Sequence, residues 1–72
     1  MMVSARVDLI YREKGSSDSD WVELEDEIGK LVFDPKALGL EENTVYEVCV
    51  RYRQPQPLKD HEGKWVCFEL SL

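Results

Sequence analysis

The stretch LEENTVYEVCVRYR, residues 40–53, decides the fold expected for this chain. Its second part, residues 44–53, is rich in β-branched and aromatic residues, which favour strands. Alternation of apolar and polar residues predicts three more strands, over residues 5–13, 21–25 and 64–70, and a short apolar run predicts a fifth over residues 30–33. Five short strands and no convincing helix predict an all-β antiparallel domain, a small sandwich or barrel.

Length and charge limit what such a domain can do. The chain has 72 residues, enough for one small domain over residues 1–72. It carries 15 acidic and 9 basic side chains, a formal charge of −6. Direct binding of nucleic acid is therefore not expected, because phosphate binding needs a basic face.

Targeting signals are not recognisable in the sequence. No run of about 18 apolar residues is present, so no membrane span is predicted. The N-terminus lacks the apolar stretch of a signal peptide. The expected location is cytoplasmic, or extracellular if the chain is a fragment of a longer secreted protein.

Residues 40–50 carry a more specific pattern than alternation. They have the form L-x-x-x-T-x-Y-x-V-x-V, which resembles the E–F corner and F strand of a fibronectin type III domain, an immunoglobulin-like fold. The resemblance implies that Tyr46 is the tyrosine corner, whose hydroxyl bonds to the backbone a few residues upstream. It also implies a larger sheet made of the strands called C′, C, F and G, and an opposing strand E. The corresponding segments are residues 21–24 for C′, 7–12 for C, 44–53 for F, 64–70 for G and 30–33 for E.

The first two strands of that fold have no counterpart here. Only residues 1–4 precede the C-like strand, so half of the inner face of the larger sheet is expected to be uncovered. Exposed apolar area costs about 25 cal/mol per Å². Three solutions remain open: self-association, strand donation by a partner protein, and closure of the five strands into a barrel. Self-association is favoured, because symmetric dimers are the commonest oligomers.

The two cysteines are expected on the outer face of the sheet. If Tyr46 and Val48 point inward, Cys49 and Arg51 point outward. A loop centred on residue 58 then places Cys49 opposite Cys67. The pair is a candidate disulfide, but two free thiols are the favoured expectation, because directly opposed positions suit disulfides poorly and the expected compartment is reducing.

The same outer face is the predicted binding surface. It combines an apolar strip with arginines, a mixture typical of interface centres. Its binding residues are Ile10, Arg12, Arg51, Arg53 and Trp65, and the loop of residues 54–63 adds Pro55, Pro57, Leu58 and His61. The predicted function is a non-enzymatic protein–protein interaction module, with no cofactor and no metal. One histidine in a Pro-rich loop does not support a catalytic triad or a metal site.

An alternative function follows from the distribution of acids. Residues 13–42 contain ten acids and three bases. The predicted acidic patch consists of Asp18, Asp20, Glu23, Glu25, Asp26 and Glu27. Such a patch is typical of an acidic inhibitor or nucleic-acid mimic, as phages encode, that blocks a basic partner protein.

Overall fold

Four strands form one antiparallel sheet in the computed structural model, which describes residues 5–53 and 63–72. The strands are β1 (Arg6–Glu13), β2 (Val22–Glu27), β3 (Val45–Arg53) and β4 (Val66–Ser71). Their order across the sheet is β2-β1-β3-β4. The prediction of a small all-β antiparallel domain is therefore confirmed.

The connection between β1 and β2 is a turn followed by a short 3₁₀ helix, Asp18–Asp20. The turn includes Gly15, whose φ of 86° lies in the left-handed region that glycine adopts without steric cost. No helix in the described ranges is long or apolar enough to cross a membrane.

The core lies on one face of the sheet, here called the inner face. Alternation places Leu9, Tyr11, Tyr46 and Val48 on this face, where all four are buried. Residues 28–40 cross over them as irregular structure and supply the covering side chains Leu31, Phe33, Leu38 and Leu40. The Phe33 ring packs edge-on against the Tyr11 ring, with 5.5 Å between ring centroids.

The predicted fifth strand is wrong. Residues 30–33 form a turn and irregular structure, although Leu31 and Phe33 still pack on the core. A strand needs a neighbour to complete its backbone hydrogen bonds, and no described segment pairs with these residues. The described residues thus form a single four-stranded sheet, and neither a five-stranded sandwich nor a barrel is confirmed.

The second strand also ends later than expected. It was predicted over residues 21–25, but β2 continues through Asp26 and Glu27. The reason is the β1 register, in which Val7 and Arg6 pair with these two residues. Pairing to a long neighbouring strand thus overrides the weak strand preference of acidic residues.

Within residues 5–53 and 63–72, the chain covers the inner face at one end only. At the other end a groove of about 270 Å³ is lined by Val7, Val50, Tyr52 and Val66, among others. On β4, Val66 is 63% exposed and Phe68 is 50% exposed. The expectation that half of this face stays open agrees with this arrangement of the described residues.

Candidate functional site

The outer face of the sheet is organised by its register. Asp8 on β1 lies between Glu25 on β2 and Arg51 on β3. Directly opposed residues share a face. The outer face therefore brings together three acids of β2, Glu23, Glu25 and Glu27, with the arginines of β1 and β3.

Cys49 and Cys67 are directly opposed on β3 and β4, as the loop arithmetic predicted. Their sulfur atoms are bonded in a disulfide, rather than being the two free thiols that were favoured. Cys49 is buried and Cys67 is exposed. The bond links β4 to the sheet on the face opposite the core.

Asp8 is the centre of the outer face, and its side chain is fully buried. The Nε and Nη2 atoms of Arg51 donate to its Oδ2 atom at 3.0 and 2.8 Å. Nε of Arg53 lies 2.9 Å from the same oxygen. Two guanidinium groups thus compensate the charge of one buried carboxylate, which is the condition for burying a charge at tolerable cost.

A second carboxylate extends this group toward β2. Glu25 accepts from Nη2 of Arg53 at 2.8 Å and from Nη2 of Arg6 at 3.2 Å. Asp8, Glu25 and the three arginines Arg6, Arg51 and Arg53 form what we call the Asp8 network. It ties three strands together through side chains.

The sequence pattern did not reveal the role of Asp8. The available signal was an acid at an outward position of one strand and two arginines, Arg51 and Arg53, at outward positions of another. Only the β1–β3 register makes them neighbours.

The predicted binding residues of the sheet face lie on that face, but the arginines are engaged within the chain. Arg51 stacks over the Trp65 ring, with 4.5 Å from its guanidinium carbon to the ring centroid. Trp65 remains 38% exposed, and Ile10 is half-buried opposite Cys49. Trp65 is consequently the side chain of the predicted set that offers the most apolar surface.

Arg12 belongs to a separate group of contacts near the 3₁₀ helix. It lies 4.3 Å from the centroid of the Trp21 ring, and its Nη1 donates to Asp18 at 2.7 Å. Its Nε lies 3.4 Å from Glu47. The hydrogen bond to Asp18, and then Glu47, raise the pKa of Arg12 above its ordinary value against the opposing effect of desolvation.

The predicted loop residues lie outside the described ranges: Pro55, Pro57, Leu58 and His61. Their part in binding stays a prediction.

The predicted acidic patch is largely paired. Asp18 contacts Arg12, Glu25 belongs to the Asp8 network, and Glu27 binds Lys30 at 2.7 Å. The hydrogen bond to Glu27 raises the pKa of Lys30. Asp20 accepts a hydrogen bond from the backbone N–H of Ser17, and Asp26 accepts one from that of Glu27. The patch therefore presents less free negative charge than the sequence indicates.

Three carboxylates approach one another closely enough to suggest a cation site. Oxygen atoms of Asp8, Glu23 and Glu25 lie within 4.8 Å of one another. However, the three arginines of the Asp8 network already contact two of these acids, Asp8 and Glu25. A further cation would have to compete with them, so the arrangement does not favour a metal site.

The most exposed apolar part of the sheet is β4. Within the described ranges this strand pairs only with β3, so it forms an edge. We call this edge, together with the exposed side chains of Trp65, Val66 and Phe68, the β4 surface. Glu69 at its far end binds Lys14 at 2.8 Å, and that contact raises the pKa of Lys14.

Tyr46 lies at the start of β3, on the covered end of the core. The backbone N–H of Glu41 donates to its hydroxyl oxygen at 2.9 Å. This is the kind of bond that the resemblance implies for a tyrosine corner. Asn43, at φ 58°, completes the bend into β3.

Comparison with known proteins adds no relative: no protein-family model, curated protein or solved structure matches this chain significantly.

Proposed function

We propose that the chain is a non-enzymatic protein-interaction module that binds an extended segment of a partner along β4. The observation that carries the proposal is the β4 surface. It joins a sheet edge to three large side chains, Trp65, Val66 and Phe68, each of which is more than a third exposed.

Strand addition suits this surface for two physical reasons. An added strand would form hydrogen bonds with the backbone groups of β4 that point away from β3, and it would cover apolar side chains on both faces of the sheet. Burial of apolar area contributes about 25 cal/mol per Å². Trp and Arg are also among the residue types enriched at interface hot spots, and here Trp65 and Arg51 stack on each other.

The fibronectin type III-like relationship is part of the proposal. Three observations support it: the strand order β2-β1-β3-β4, which agrees with C′, C, F and G; the hydroxyl of Tyr46 bonded upstream; and an inner face left open at one end. In that fold a second sheet would lie across this face.

The chemistry of the described residues supports a binding role over catalysis. The carboxylate of Asp8 is fully buried between the guanidinium groups of Arg51 and Arg53, so it does not face a space that a substrate could enter. The acidic-inhibitor alternative draws less support, because half of the six carboxylates in its patch form ion pairs.

Selection of peptides from a random phage-displayed library tests the proposal. Binding peptides should alternate apolar and polar residues, and they should lose binding to a Phe68→Lys variant. The matched control is Val32→Lys, which makes the same charge change at a side chain that is 74% exposed and lies away from β4. Binding that survives Phe68→Lys, or no enrichment of such peptides, would overturn the proposal. Enrichment of salt-sensitive Lys/Arg-rich peptides would favour the inhibitor alternative instead.

A further inference from the structure

We infer that the natural occupant of the β4 edge is β4 of a second copy of the chain, paired antiparallel about a two-fold axis. In this register Val66 of each copy faces Phe68 of the other. The inference rests on the proposed function and names its partner.

Charge favours self-pairing at this edge and opposes it at the other. Each copy carries a charge of −6, so two copies repel over most of their surface. Four of the six residues of β2 are acidic, and like charges opposed across strands destabilise pairing. In β4 only Glu69 is acidic. Two copies therefore meet with least repulsion along β4.

The geometry of antiparallel pairing limits the register. A two-fold axis perpendicular to the sheet keeps each residue on its own face. Directly paired residues must share a face, and faces alternate along a strand, so the numbers of two paired residues differ by an even number. In an antiparallel pair their sum is therefore constant and even, and the register is centred on one residue. A register centred on Glu69 would oppose two carboxylates and is disfavoured. Centred on Phe68, the register would stack the two Phe68 rings and leave Val66 against Leu70, which is already half-buried.

A register centred on Cys67 uses the exposed groups best. It pairs Val66 with Phe68 twice, and these are the two most exposed large apolar side chains of β4. Each Glu69 then faces Trp65 of the other copy, which keeps the two carboxylates apart. The assembly is closed, because the acidic β2 strands become its two outer edges and resist further addition.

The test introduces opposite charges at Val66 and Phe68 and measures dimerisation by analytical ultracentrifugation. We expect the wild-type chain to form dimers at about 100 µM. Val66→Glu and Phe68→Lys should each weaken association at least about tenfold. The double variant should recover it, because the two new charges of opposite sign face each other twice. Val22→Glu, at a similarly exposed position on β2, is the matched control and should change nothing beyond the effect of net charge.

Each outcome is informative. A wild-type chain that stays monomeric overturns the inference, and so does a dimer insensitive to both single variants. A double variant that fails to recover excludes the Val66–Phe68 register. Each variant should fold, because the substituted side chains are exposed, and circular dichroism checks this. A monomer that binds library peptides at β4 would overturn only self-pairing, whereas a monomer that binds none would overturn the proposed function as well.

Discussion

The two edge strands of the sheet have the same length but differ in charge. β2 (Val22–Glu27) contains four acids, and Glu25 is held by Arg6 and Arg53. β4 (Val66–Ser71) contains one acid and is joined to β3 by the Cys49–Cys67 disulfide. Charged edges resist further strand pairing, whereas uncharged ones invite it. The comparison therefore indicates one protected edge and one receptive edge.

The strands also differ in what stabilises them. β2 is attached through ion pairs that converge on the buried carboxylate of Asp8 and on Glu25. β4 has no buried side chain and depends on backbone hydrogen bonds to β3, on the packing of Leu70 against the core, and on the disulfide. Each attachment can be removed separately.

The largest expected effect is on the β2 side. Asp8→Ala should lower the free energy of unfolding by about 4 kcal/mol, because it removes the buried carboxylate that both Arg51 and Arg53 contact. Urea unfolding with the disulfide intact measures this. Glu23→Gln on the same face should change stability by less than about 0.5 kcal/mol. Equal losses of unfolding free energy in the two variants would contradict a central role for Asp8 in the network.

On the β4 side, removal of the cross-link should have a slightly smaller effect. The double variant Cys49→Ala and Cys67→Ala should lose about 3 kcal/mol, as expected for a loop closed between residues 18 apart. Hydrogen exchange should accelerate at β4 more than at β2, because the bond joins only β3 and β4. Wild-type protein reduced with dithiothreitol provides the control. Equal acceleration in both edges would contradict the separate attachment of β4.

Removing charge from the protected edge should make the two edges alike. Glu23→Thr with Glu27→Thr leaves Glu25 in the Asp8 network and takes two acids from β2. Association at this edge should strengthen about tenfold, so that sedimentation reveals species larger than a dimer. The control pair Glu41→Thr and Glu42→Thr changes the net charge equally at exposed positions away from β2. Identical behaviour of both pairs would mean that net charge, not edge charge, governs assembly.

The smallest of these effects concerns the corner that precedes β3. Tyr46→Phe should cost about 1 kcal/mol, because the backbone N–H of Glu41 loses its acceptor. This corner also holds the end of the chain, since Leu72 exchanges backbone hydrogen bonds with Asn43 and Thr44. Tyr11→Phe is the control, since that hydroxyl makes no hydrogen bond within the described ranges. A loss no larger than the control would argue against a stabilising tyrosine corner.

Much of the sheet was predictable from local pattern. Alternation placed three strands, and β-branched and aromatic content a fourth, within a few residues of their observed bounds, and the centre of the 54–63 loop paired Cys49 with Cys67. The fifth strand failed because an apolar run such as residues 30–33 satisfies burial equally well without strand geometry. Leu31 and Phe33 reach the core from irregular backbone.

The candidate site was predictable only in part. Trp65 and Arg51 were expected to lie together on the outer face, and they stack there. The acidic patch was predicted without arginine partners, but β2 and β3 flank β1, so opposite charges meet across β1. The role of Asp8 depends on that neighbourhood.

The amino-acid sequence by itself determined which residues alternate, and therefore which side chains share a face of each strand, because the strand repeat is a local property of the backbone. Strand order and register, which are set by contacts between residues distant along the chain, were decided only in the tertiary structure. Those contacts bury Asp8 between arginines from another strand, make β2 and β4 the two edges, and leave Val66 and Phe68 exposed.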